Sequence, residues 1–156
     1  MTFEEKTTWV AAVVMAGVSA VYFWIVLGQL GEVPVADIAY QQPLVITVVA
    51  TVVLTIIGSI ITAIGSAIGV AISTEITGEG VGSVDDIGRT DERDKSINRR
   101  GELVGYYVSS VGVVIVLGLT MLEYDYFWIA NVLYASLLLG SLVGSAVKLA
   151  AYRRGF

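Results

Sequence analysis

LVITVVATVVLTIIGSIITAIGSAIGVAI, residues 44–72, contains no charged side chain and no proline. A bilayer's hydrocarbon core is about 30 Å thick, and a helix needs about 20 consecutive apolar residues to cross it. Leu44–Ile72 is longer than that, so the stretch predicts a spanning helix. Three further runs share its character: Thr8–Leu27, Leu103–Leu122 and Phe127–Ala151. The expectation is an all-α, integral membrane four-helix bundle, one membrane domain over 1–156. Residues 73–102 are read as a cytosolic linker and helix.

All nine basic residues fall on one side of such an arrangement: Lys6, Arg89, Arg93, Lys95, Arg99, Arg100, Lys148, Arg153 and Arg154. The segments joining runs one to two and three to four carry only Glu32, Asp37, Glu123 and Asp125. Lys and Arg are retained on the cytoplasmic face. The expected topology is therefore multi-pass in the plasma membrane, a prokaryotic inner membrane, with both termini and the middle segment cytoplasmic. The helices form two in–out–in hairpins. The first run has no positively charged leader and continues past Val18-Ser-Ala20, which reads as an uncleaved helix rather than a signal peptide.

Composition narrows the chemistry. A hydrophobic share of 56% and a mean hydropathy of +0.80 are too apolar for an ordinary soluble domain. The chain has no Cys and no His, which removes thiolate nucleophiles, His-ligated haem and most zinc sites. No ionisable side chain lies near the middle of a span, where a functional charge would stand out against its insertion cost. The borderline groups are Glu75, Glu102 and Lys148, with a Glu102–Lys148 pair one option for the last two. A net charge of −5 argues against nucleic acid as a partner. The reading is not an enzyme, with no catalytic, metal-binding or cofactor-binding residues and no cofactor.

Small residues recur at helical spacing. Gly58, Thr62, Gly65 and Gly69 line one side of helix two, and Gly140 and Gly144 lie in helix four. Helix three begins Gly101, Gly105, Ser109. Such faces let backbones approach in lipid, where association depends on close van der Waals contact. They are assigned to helix packing, with helix two expected at the centre of the bundle. Thr47, Thr51, Thr55 and Ser59 place a hydroxyl every fourth residue. This strip is either a wall of a polar path or a set of hydroxyls bonded to their own helix. Aromatic residues gather at the span ends and are read as interfacial belts.

Ile25-Val-Leu-Gly28 recurs as Ile115-Val-Leu-Gly118, and Gly65-Ser-Ala67 as Gly144-Ser-Ala146. A parallel repeat with a pseudo-twofold axis along the membrane normal would produce this. Chance identity among Val/Leu/Gly/Ala-rich strings is the other reading.

The most distinctive polar stretch is Thr90-Asp-Glu-Arg-Asp-Lys-Ser-Ile-Asn-Arg-Arg100. Its acidic start and basic continuation suit the helix dipole. Helix three is expected to begin here and enter the membrane without a break. Arg93, Arg99 and Arg100 are the candidate contacts for a partner or for lipid phosphates. The carboxylates lack the ligand spacing of an EF-hand.

Asp91-Glu-Arg93 with Ile97, leading into a membrane helix, resembles a poorly characterised family of small prokaryotic multi-helix membrane proteins. Those proteins place a D-E-R-x-x-x-I motif before a transmembrane hairpin. The resemblance covers about Thr90 to Tyr107 and implies topology rather than chemistry. Two functional classes stay open. One is an accessory, structural or regulatory subunit acting through protein–protein contacts, with the lipid bilayer and a homo-oligomer or larger membrane complex as its partners. The other is a small oligomeric transporter or channel built from two hairpins.

Overall fold

The computed structural model describes residues 2–77 and 92–154, with side chains between 70 and 77 left out of that description. Among the described residues the chain forms four long helices and one short one: α1 (Phe3–Leu27), α2 (Val35–Asp37, a single 3₁₀ turn), α3 (Gln41–Thr77), α4 (Glu92–Met121) and α5 (Tyr126–Arg154). The four long helices are each long and apolar enough to cross a membrane.

Local sequence explains the ends. Thr2 caps α1 by accepting a hydrogen bond from the Glu5 backbone N–H at 3.2 Å, the arrangement of a Thr-x-x-Glu start. Gly31 takes a positive φ of 91° in the turn after α1, where a side chain would be strained. Pro34 then precedes the 3₁₀ turn, and Pro43 falls in the first turn of α3, where its missing N–H costs nothing. The α4–α5 turn closes as a Schellman motif: Tyr124 N–H bonds the Leu119 carbonyl and Glu123 N–H that of Thr120. Glu123 holds the left-handed position of that motif at φ 55°. The charged stretch and the following apolar run form one continuous helix, as expected, with Lys95 paired to Glu92 at 2.7 Å. The first residues of the charged stretch, Thr90 and Asp91, and the segment 78–89 before it lie outside the described residues.

The packing order is α3, α1, α5, α4. Helix α4 lies along α5, α5 along α1, and α1 along α3. Facing residues descend in one helix as they ascend in the other, so each neighbouring pair is antiparallel. This corrects the expected place of the second long helix. Helix α3 sits at one flank and packs against α1, while α1 and α5 hold the two interior positions, each with two helix neighbours. A twofold relating the two halves would copy the α1–α5 contact as an α4–α3 contact, and no packing of comparable extent joins α4 to α3 among the described residues.

Candidate functional site

Four groups of residues carry the polar and close-contact features of the structure. The first joins α1 to α5 near the acidic end of the helices. Tyr22 donates its hydroxyl hydrogen to Asn131 Oδ1 at 2.8 Å, and Asn131 donates an amide hydrogen to the Phe127 carbonyl at 2.8 Å. One turn earlier on α1, the hydroxyls of Ser19 and Tyr134 share a bond of 2.6 Å. Tyr22 is 1% exposed and Phe127 also 1%, and with Val26 and Ile38 they make the hydrophobic core. Tyr40 packs edge-on against Phe127, as do Phe23 and Tyr134 around Tyr22. These rings were expected to form an interfacial belt. The structure divides them: Tyr22, Phe23, Tyr40 and Phe127 pack inward, joined by Tyr134, whereas Trp24, Tyr124 and Tyr126 stay exposed.

The second group is the α4–α5 seam. Gly101 and Gly105 face Gly144 and Gly140, and further along Gly112 faces Ser136. A Cβ added at any of the five glycines would run into backbone or side chain across the seam. Two G-x-x-x-G motifs interlock here because nothing larger fits, which is how small residues hold helices in lipid. Gly140 and Gly144, assigned to helix packing from sequence, both lie in this seam.

On α3 the pattern is different. Gly58 meets Val10 of α1, and the Thr62 hydroxyl bonds back to the Gly58 carbonyl at 2.8 Å. Gly65 and Gly69 meet nothing within 4 Å. Among the described residues their small side therefore has no neighbour within 4 Å, unlike the expectation that all four residues pack one internal face. Two of the four hydroxyls in the strip bond their own helix: Thr51 bonds the Thr47 carbonyl at 2.8 Å and Ser59 that of Thr55 at 2.9 Å. Thr47 is buried and Thr55 half-buried.

The fourth group lies at the basic end. Lys148 reaches Glu102 at 3.4 Å, forming the pair that the sequence left optional. Arg153 sits 5.7 Å from the centroid of the Trp9 ring, within cation–π range, and Lys6 donates to Ser66 at 3.4 Å. Ile97 is buried and Asp94 half-buried, so the D-E-R-x-x-x-I helix presses one face on the rest of the protein. The buried Tyr152 hydroxyl lies close to the Asp94 carboxylate, though the two do not meet with hydrogen-bond geometry. Arg93, Arg99 and Arg100 are on the exposed side of the same helix.

Tyr22 was read only as a belt aromatic, and no polar contact was assigned to Ser19 or Tyr134 from sequence. Their signal was present: Ser19/Tyr22 and Asn131/Tyr134 are polar pairs at i, i+3 in otherwise apolar runs, a spacing that places both members on one helix face. Comparison of the chain with protein-family models, with curated proteins and with solved structures finds no match.

Proposed function

We propose that this chain is a multi-pass membrane protein acting as an accessory, structural or regulatory subunit, without catalysis of its own. Both termini and the 73–102 segment are cytoplasmic in this reading, in a prokaryotic inner membrane, and α1–α3 and α4–α5 insert as two hairpins. The antiparallel packing supports it by gathering Lys6, Lys148 and Arg153 at one end of the helices, with Glu32, Asp37, Glu123 and Asp125 in the turns at the other. That polarity is what the positive-inside rule requires.

The observation that carries the subunit reading is the state of α3. It packs against α1, and its Gly65/Gly69 side meets nothing within 4 Å among the described residues. A helix of 37 residues, placed at a flank with a small-residue side open, suits contact with a helix of another protein or a second copy. The transporter reading rested on the hydroxyl strip and the possible repeat, and the self-bonding of Thr51 and Ser59, with the unmatched α1–α5 contact, leaves it less support.

Purification in mild detergent, with mass measurement of the intact particle, tests the proposal. A stable complex with another membrane protein or a second copy is expected, and Gly65→Leu with Gly69→Leu should dissociate it while the chain stays folded. A strictly monomeric particle, or a complex indifferent to both substitutions, would overturn it.

A further inference from the structure

A groove of about 440 Å³ runs along α5 between α1 and α4, at the basic end of the helices. Lys148 and Glu102 stand at its mouth, and Ser109, Ser141, Ala11 and Met15 are among the residues lining it deeper in. From Lys148 to Gly140 is eight residues of helix, about 12 Å at 1.5 Å per residue. A charged mouth thus leads into a channel that reaches partway through one leaflet.

Three features define what would fill it. The mouth presents both signs of charge side by side, 3.4 Å apart. Lys148 is mostly shielded, with 19% of its side chain exposed, while Glu102 opens outward at 72%. Lys148 has three N–H donors and Glu102 two acceptor oxygens, so each keeps capacity beyond their mutual bond. Deeper in, the hydroxyls of Ser109 and Ser141 make no hydrogen bond among the described residues. In a spanning helix such hydroxyls normally bond back to the carbonyl four residues earlier, as Ser145 does to Ser141. A hydroxyl left without a partner in an apolar setting is costly. Ala11 and Met15 then supply an apolar wall on α1.

We propose that this groove binds one aminophospholipid from the adjoining leaflet. Its ammonium meets the Glu102 carboxylate and its phosphate meets the Lys148 ammonium. Its ester carbonyls accept hydrogen bonds from Ser141 and Ser109, and an acyl chain lies along Ala11 and Met15. A zwitterion with N–H donors answers both charges of the mouth. An anionic glycerol headgroup offers nothing to Glu102, and a quaternary ammonium offers it no hydrogen. The site is independent of the α3 side assigned above to partner contact, so either reading can fail alone.

The test is native mass spectrometry of the full chain in mild detergent. It is titrated separately with phosphatidylethanolamine, phosphatidylcholine and phosphatidylglycerol of identical acyl chains. The first phosphatidylethanolamine should bind at least about threefold more tightly than either other lipid. Glu102→Gln should bring the phosphatidylethanolamine-to-phosphatidylcholine ratio close to one. Ser141→Leu, at an exposed position, should fill the groove and remove the first tight event for all three lipids without lowering the unfolding temperature. Equal affinities in the wild type, a preference retained by Glu102→Gln, or binding unaffected by Ser141→Leu would each overturn the site. A preference for phosphatidylglycerol that is lost on Arg99→Gln would also overturn it, and would place the lipid contact on the exposed basic side of α4.

Discussion

Tyr22 on α1 and Asn131 on α5 meet through a 2.8 Å hydrogen bond in the most buried part of the structure. The bond closes the contact between the first and second halves of the chain. Tyr22→Phe keeps the ring and leaves Asn131 Oδ1 without its donor. Interhelical hydrogen bonds in membrane proteins average about 0.6 kcal/mol and reach about 1.7. Tyr22→Phe and Asn131→Leu are expected to destabilise by amounts in that range, with the double variant less than additive. Unfolding in detergent measures it, and full additivity would show that the two residues act separately.

The seam between α4 and α5 and the open side of α3 should respond to the same change with opposite sign. Gly140→Ala drives a methyl into Ser109 and the Gly105 carbonyl. Overpacking of this kind costs about 1–3 kcal/mol. Gly65→Ala adds a methyl to open space and gains helix propensity, an effect of up to about 1 kcal/mol. Thermal melts of the two variants should move apart around the wild type. With the chain held monomeric in a harsher detergent, a loss at Gly65 as large as at Gly140 would show that the Gly65 side is covered within the chain; in the assembled particle such a loss would report the α3 contact proposed above.

Glu123 occupies a left-handed backbone position that glycine adopts freely, at a cost to other residues of about 1–2 kcal/mol. Glu123→Gly should be the more stable of the pair Glu123→Gly and Glu123→Ala, by about 1 kcal/mol. Identical unfolding temperatures would show that this turn relaxes away from φ 55° in solution.

Reversing Arg93, Arg99 and Arg100 to Glu should leave helical content and unfolding temperature nearly unchanged, because these side chains are exposed. Binding to anionic vesicles should weaken by about 1 kcal/mol for each basic residue removed. The wild-type binding should fall steeply with salt. Sedimentation of vesicles with bound protein provides the readout, and unchanged binding would leave this surface without a lipid role.

Reporter fusions at Val35 and at Ser83, the latter outside the described residues, should read outside and inside respectively. The reverse pattern at either position would invert the topology and require the basic end to face outward.

The four long helices were legible because each apolar run exceeds what a bilayer requires, and polarity ends each run sharply. The continuous α4 was legible for a related reason: its acidic start and basic next turns favour a helix outside lipid. Neighbour order was not legible. On a soluble helix the buried side differs in polarity from the wet side, and periodicity reports it. On α3, Ile57 and Ile60 look like core residues, although both are exposed. Glycine motifs mark where close approach is allowed. Gly140 and Gly65 have similar sequence contexts, yet one meets a neighbour and the other does not. The Ser19–Tyr134 and Tyr22–Asn131 bonds needed the pairing of two polar i, i+3 steps more than a hundred residues apart.

The α1–α5 contact also sets an order of events at the ribosome. In the membrane reading proposed above, helix α1 would insert before α5, and its main polar partners, Asn131 and Tyr134, belong to that later helix. Until α5 arrives, Ser19 and Tyr22 have only lipid, headgroups or their own backbone to satisfy their hydroxyls. The nascent first half is therefore an incomplete unit awaiting its complement. A chain severed between Thr77 and Glu92 and expressed as two pieces should reassemble through these two bonds, whereas the first piece alone should be a substrate for membrane quality control.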